Sequence, residues 1–279
     1  MKFKIVADSS SNIYSLPDVA YASVPLKILS SDKEYVDDAH LNVSDMVAHL
    51  KAEKAAASTS CPNMAEWEDA FTDAENVFAL TLTSQLSGSY NAALQAAGEF
   101  KREDPNRRIY VLDTLSTGPE MQLLIEKLQE RIVAGGTFEE IRTALREYKK
   151  HTHLLFNLQS LDNLAKNGRC SMALAKVAGV LGIRVVGKAS DQGTLEPLSK
   201  PRGEQKSLEA ILNELAKGGF RGGKVRIAHC FNIKAAEALR KMILDCFPDS
   251  DIQIISCGGL CSYYADLGGL LVGYEDGLE

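Results

Sequence analysis

The chain has 279 residues, 45% of them hydrophobic, and sets 31 Lys and Arg against 37 Asp and Glu for a formal net charge of -6. That length exceeds the usual single domain and predicts two, each with apolar content for a core of its own. The acidic balance, with no basic stripe or Arg-rich block, argues against nucleic acid as the main partner.

Met1 to Asp8 runs directly into strand-like sequence, without the apolar core of a secretory signal, and no apolar run is long enough to span a bilayer. A cytoplasmic protein without an integral membrane segment is expected. Phe3 to Ala7 reads as a strand ending at Asp8-Ser-Ser-Ser11, a hydroxyl-rich loop at the edge where open α/β sheets place ligands. Taken alone, an Asx or Ser turn also explains it. Val24 to Leu29 is a second strand, and Tyr35 to Asp38 leads into a helix over Ser44 to Lys54. Asp37 and Asp38, as sequence neighbours, mark a loop end rather than a facing pair of catalytic carboxylates.

Ser58-Thr-Ser60 then precedes Cys61-Pro62 and a helical segment from Met64 to Thr72. Proline extends the residue before it and suits the first turn of a helix, which predicts these three hydroxyls at a helix N-terminus. Val77 to Leu82 is the nearly unbroken apolar run of a buried parallel strand, and the alanine-rich stretch from Ser89 onward has helical spacing. The loop between them carries Thr83, Ser84, Ser87, Gly88 and Ser89. Hydroxyls and a backbone free of a Cβ at a helix N-terminus, beside unpaired N–H groups and the positive dipole end, suit a carboxylate or phosphate. Simple capping is the competing reading of the same residues.

Ile109 to Leu112 is a third strand, ending in Asp113-Thr-Leu-Ser-Thr-Gly118, and a helix from Pro119 to Ala134 is stopped by Gly135-Gly136. Thr137 with Glu140 three residues on is a capping box opening another helix. This repeated strand, loop and helix predicts an N-terminal α/β domain over residues 1–150, with a doubly wound parallel sheet and hydroxyl-rich ligand loops on one edge.

Residues 151–279 predict a second α/β domain with a mixed sheet. His151-Thr-His153 has no third ligand nearby and reads as an exposed connection rather than a metal site. Leu154 to Leu158 is a strand, Leu161 to Arg169 a short helix closed by Gly168, and Met172 to Leu181 a helix. Arg184 to Gly187 is a strand that turns at Asp191-Gln-Gly193 onto Leu195 to Lys200. Ser207 to Gly218 is helical, Lys224 to Cys230 a strand, Ile233 to Phe247 a helix, and Ile252 to Ser256 the last strand before a glycine-rich tail. The six cysteines include no CxxC pair, and Cys257-Gly-Gly-Leu-Cys261 fits neither a zinc knuckle nor a thioredoxin motif. Gly218 to Val225 lacks the hydroxyl and the following helix of a phosphate loop, Gly268 to Gly273 lacks the dinucleotide spacing, and both read as turns. With no Gly-x-Ser-x-Gly elbow there is no catalytic nucleophile to name, and no metal or cofactor is expected.

Asp8-Ser-Ser, Thr59-Ser-Cys-Pro, Ser87-Gly-Ser-Tyr, Asp113-Thr, Leu161-x-x-Leu-x-x-x-Gly-Arg169 and Lys200-Pro-Arg-Gly203 stand in the order and at roughly the separations found in the DegV family of bacterial fatty-acid-binding proteins. The resemblance spans essentially the whole chain. It implies a two-domain protein that buries one long-chain fatty acid in a tunnel between domains, with the carboxylate held by Thr59 and Ser87, and with Ser60 and the Gly88 N–H as neighbours. It also implies an acyl carrier whose bound lipid a separate fatty acid kinase converts to an acyl phosphate for phospholipid synthesis, with Arg169 and Arg202 at the partner-facing surface. Helices of both domains are expected to line the tunnel. Three positions depart from the family. Tyr264 stands at or near a usual His, which alters or removes a head-group contact, Arg184-Val185 replaces Lys-Pro, and Asp113-Thr114 replaces the commoner Asp-Ser. The rival readings are an enzyme, a phosphotransferase or lipid hydrolase, working through the same loop, and a binder of another small anion.

Overall fold

The computed structural model describes residues 2–53, 55–178 and 180–277. Its first half opens with four strands and then alternates helix and strand up to a closing pair of helices: β1 (Phe3–Asp8), a 3-10 turn (Ser9–Ser11), β2 (Ala20–Val24), β3 (Lys27–Leu29), β4 (Glu34–Val36), α1 (Val43–Ala52), β5 (Ser58–Ser60), α2 (Met64–Phe71), β6 (Asn76–Thr81), α3 (Ser89–Glu103), β7 (Arg108–Asp113), α4 (Pro119–Val133) and α5 (Phe138–Lys149). Strands β2, β1, β6 and β7 lie side by side in that order, all parallel. Side chains alternate across a strand, so each face of this sheet draws on every second residue. Val6, Val77 and Ala79 pack with Trp67, Phe71 and Ala93 of α2 and α3, while Ile5, Ala7, Phe78 and Leu80 pack with Met121, Leu124 and Ile141 of α4 and α5. Burial on both faces is why Val77 to Leu82 reads as an unbroken apolar run.

The second half contributes β8 (Thr152–Leu158), α6 (Asp162–Lys166), α7 (Met172–Ala178), β9 (Val185–Ala189), β10 (Leu195–Ser199), α8 (Glu204–Lys217), β11 (Lys224–His229), α9 (Ile233–Cys246), β12 (Asp251–Ser256), α10 (Gly259–Ala265) and β13 (Leu270–Glu275). A mixed sheet runs in the order β10, β9, β8, β13, β11, β12. Helices α8 and α9 cover one face through Leu208, Ile211 and Leu239. On the other side lies α4, so one helix serves both sheets. At its N-terminus Gly273 of β13 sits where a Cβ would come 2.5 Å from the Glu120 nitrogen. Its middle is held by Glu126, which pairs with the buried Arg226 through two bonds of 2.7 Å.

Several sequence expectations change. Val24 to Leu29 is two strands, because Pro25 cannot donate to a ladder and the chain leaves one sheet for another there. The glycine-rich tail is not a turn after the last strand but holds α10 and β13, and β13 is inner, bonded to β8 and β11. Its glycine marks a close backbone approach, which hides the strand signal. Ser58, Thr59 and Ser60 form β5, antiparallel to β3, rather than a helix N-terminus. Helix α2 is capped instead by Asn63 and Glu66 in a capping box. The expected helices Ser44 to Lys54 and Met172 to Leu181 include Lys54 and Gly179, which lie outside the described residues. The capping box at Thr137 forms as the sequence predicts.

A third, small sheet of order β4, β3, β5 carries α1 and α10 against it. Helix α10 belongs to the second half by sequence but is anchored by the first. The Asp37 carboxylate accepts from the N–H groups of Gly259 (2.6 Å) and Leu260 (3.0 Å) and from the Tyr14 hydroxyl (2.8 Å), and Asn12 accepts from the Gly258 N–H at 2.8 Å.

Candidate functional site

A cavity of about 310 Å³ lies where the loops at the carboxyl ends of β6 and β7 face the mixed sheet. Thr59, Ser60, Ser87 and Gly88 all line it, as do Arg169 and Tyr264. Leu154, Phe156 and Leu158, alternate residues of β8, therefore share a face, and this face forms part of the wall with Leu195 of β10 and Leu271 of β13. The wall expected from helices is thus largely sheet, with α6 and α10 closing it through Leu164 and Ala265.

Two backbone segments remote in sequence meet at the polar part of the lining. A Cβ on Gly88 would come 3.1 Å from the Cys61 sulfur, so the segment after β5 packs against the start of α3 with only the glycine hydrogen between them. Thr59 Oγ1 shares a hydrogen bond of 2.7 Å with the Tyr264 hydroxyl on α10. Burial pushes the Tyr264 phenol above its ordinary value against the opposing Thr59 bond, so it stays protonated and able to donate. Tyr264 thus has a polar partner within the protein, the Thr59 hydroxyl. Helix α3 begins with Gly88 as N-cap and no side-chain cap bond, and the Ser87 hydroxyl accepts from the Ser89 N–H at 3.2 Å. Capping and ligand readings of this loop therefore meet in one residue, since that hydroxyl keeps its own proton to donate.

The loop is fixed from behind by carboxylates on the two strands flanking β6. Asp8 at the end of β1 accepts from the Leu82 N–H (2.8 Å), the Ser89 hydroxyl (2.7 Å) and the Ser10 hydroxyl (2.6 Å). Asp113 at the end of β7 accepts from the N–H groups of Ser84 and Leu115, each at 3.1 Å. Full burial raises the Asp8 carboxyl to about 6, with those three groups and the Ser10 backbone pulling it back down. Thr83 reaches across to donate to the Gly193 carbonyl at 2.9 Å, which ties the loop to the β9–β10 turn.

Arg169 is partly buried, and its Nε donates to the Leu86 carbonyl at 3.1 Å, so it belongs to the cavity as well as to the surface. Arg202 is exposed, away from the lining, in a bridge with Ile183. His151 and His153 are not free ligands: both bond Asp276, at 2.8 and 3.0 Å. All six cysteines are unpaired, and Cys61 and Cys261 line the cavity. Sequence reasoning missed the placement of α10 and hence the Thr59 to Tyr264 bond. The available signal was Tyr263-Tyr264 ahead of Gly268-Gly269, an aromatic pair just before a turn. Among the described residues no helix is long and apolar enough to cross a membrane.

The fold and this cavity define a family, and the chain belongs to it: a model described as "Uncharacterised protein, DegV family" matches residues 2–275. Among its relatives, a DegV domain-containing protein of Streptococcus pneumoniae is 44% identical over 279 residues, covering 99% of each chain. Among solved structures, the fatty acid kinase (Fak) B3 protein of Streptococcus pneumoniae, loaded with linoleic acid, superposes with a TM-score of 0.98 at 43% identity, over 99% of this chain and all of that one. A DegV family protein of Eubacterium eligens loaded with heptadecanoic acid gives a TM-score of 0.96 at 39% identity, over 99% of this chain and all of that one.

Proposed function

We propose that the chain is a non-catalytic carrier of one long-chain fatty acid. The carboxylate sits against the hydroxyls of Thr59, Ser60 and Ser87, the Gly88 N–H and the Tyr264 hydroxyl, and the hydrocarbon lies along the face built by Leu154, Phe156, Leu195 and Leu271. One observation carries this reading: a single cavity joins those polar atoms to that apolar wall. Each buried CH₂ contributes about 0.8 kcal/mol, so a tail of about sixteen carbons offers on the order of 10 kcal/mol, and the tail dominates affinity. The head-group bonds, charge-assisted and therefore the stronger class, set the direction of entry. The fatty-acid-loaded relatives support the ligand class.

A base beside Ser87 would favour an enzyme; among the described residues the bond made by its hydroxyl is to the Ser89 N–H, which supports a binder. In the same proposal residues 1–150 and 151–279 act as two domains closing on the lipid, and a fatty acid kinase receives it at a surface that includes Arg169 and Arg202. Titrating delipidated protein with a fluorescent fatty acid tests the ligand site. Thr59→Ala combined with Ser87→Ala should release the acid, and unchanged retention in that double variant would remove both roles.

A further inference from the structure

Away from the cavity, at the outer edge of the small sheet, three side chains gather with no part in the lipid reading. Asp32 lies in the turn between β3 and β4, His49 in the last turn of α1, and Glu53 at the C-cap of α1, four residues on and so on the same helical face. One ligating atom from each lies within 4.8 Å of the others. We propose that Asp32, His49 and Glu53 form a binding site for one divalent transition-metal ion of the zinc class, with water completing the coordination.

Spacing supports this first. His49 Nε2 stands 3.5 Å from Asp32 Oδ1. Two donor atoms on a tetrahedral ion with bonds of about 2.1 Å are separated by about 3.4 Å. Charge supports it second. Two carboxylates approach each other here, and among the described residues neither has an ion pair to a Lys or Arg; His49 is the recorded partner of Asp32. Glu53 Oε2 is moreover buried with no hydrogen-bond partner, an arrangement that an unpaired carboxylate oxygen does not tolerate without a cation or proton.

Outer contacts support it third, because each ligand is aimed by a separate hydroxyl. Ser30 donates to Asp32 at 2.9 Å, Ser31 donates to Glu53 at 2.6 Å, and the Tyr35 hydroxyl bonds His49 Nδ1 at 2.5 Å, leaving Nε2 to face the carboxylates. Metal-binding histidines have this second contact as a rule, and it fixes which nitrogen meets the ion. One borderline imidazole with two hard carboxylates is a donor set that suits zinc, cobalt or manganese. Tyr35 and Thr59 pair with the same residue, Ile28, from opposite sides of β3. The ion would therefore brace the sheet that presents Thr59 to the cavity.

The test uses the full chain, washed with a chelator and titrated calorimetrically with zinc chloride at pH 7.5, where an ordinary imidazole is neutral. The expected result is one saturable equivalent per chain, with Kd weakened at least about tenfold by His49→Ala and by Glu53→Gln, and by about tenfold in Tyr35→Phe. Cobalt should give a visible spectrum that His49→Ala abolishes. No saturable uptake would overturn the proposal in favour of a hydrogen-bonded cluster of His49 with the two carboxyl groups. Uptake unchanged in both His49→Ala and Glu53→Gln would overturn it in favour of adventitious binding elsewhere. Glu53→Gln preserves shape, so a folding defect in the His49 variant leaves the test decisive. Neither outcome depends on the fatty acid.

Discussion

On the N-terminal side of the cavity the lining comes from β5 and from the loops after β6 and β7, and brings Thr59, Ser60, Ser87 and Thr117; on the C-terminal side it comes mainly from a sheet face, and brings Leu154, Phe156, Leu158 and Leu271. The difference follows from the two sheets' geometry. The carboxyl edge of a parallel sheet exposes loop N–H groups and hydroxyls at helix starts, where anions bind. The face of a mixed sheet exposes every second side chain, and β8 points Leu154, Phe156 and Leu158 one way while Leu155 enters the core on the other. The cavity therefore has a polar edge and an apolar face, the division that an amphipathic ligand needs. Tyr264, Arg169 and Thr194 are the exceptions, polar groups supplied by the C-terminal side, and Asp37 explains the first by holding α10 against the N-terminal half.

Attacking the face should do most damage. Leu195→Glu places a carboxylate on the apolar wall of an edge strand, and an unpaired charge there costs several kcal/mol, so fatty-acid retention measured after size exclusion should fall at least about a hundredfold. Attacking the edge comes next. With the proposed head-group contacts, Thr59→Ala with Ser87→Ala should remove two bonds to a charged group, together about 3 kcal/mol, or roughly a hundredfold in Kd by fluorescent fatty-acid titration, and leave the tail contribution intact.

The support behind the edge has a pH signature. Asp8 sits at about 6 in the folded chain against 3.8 for the ordinary group, so folding favours its neutral form. Its contribution to stability is fully present below the unfolded value and is lost as pH rises through about 6, a change of about 3 kcal/mol. Asp8→Asn should therefore flatten the decline in unfolding free energy between about pH 4 and pH 6.5, read from urea titrations of both proteins. Equal slopes would mean that Asp8 ionises freely. The smallest effect belongs to the exception. Tyr264→Phe deletes the bond to Thr59 and should weaken fatty-acid binding by about threefold to tenfold, which calorimetry resolves.

The edge was legible in the sequence and most of the face was not. Val77 to Leu82 followed by hydroxyls and a helix is a local pattern, and both the strand and the polar loop stand where that pattern puts them. Asp8 and Asp113 were visible as strand-end residues, but their shared grip on one loop depends on β1 and β7 flanking β6, which is topology. Thr59 and Ser60 were found as hydroxyls and misplaced as a helix start, because three-residue strands carry too few positions to show a period. Helix α10 and β13 were hidden by their glycines, which the fold needs for close approaches: Gly259 lies where a Cβ would be 2.8 Å from the Asp37 carboxylate, and Gly273 lies against α4. Without β13 the face loses Leu271, and without α10 the site loses Tyr264.

The most direct test is native mass spectrometry of the protein purified from cells without added lipid. A one-to-one complex is expected, whose extra mass, released on denaturation, is that of a long-chain fatty acid and is lost in Leu195→Glu. Protein that emerges with no such adduct, and that fails to take up a fatty acid supplied in excess, would contradict the proposed carrier role.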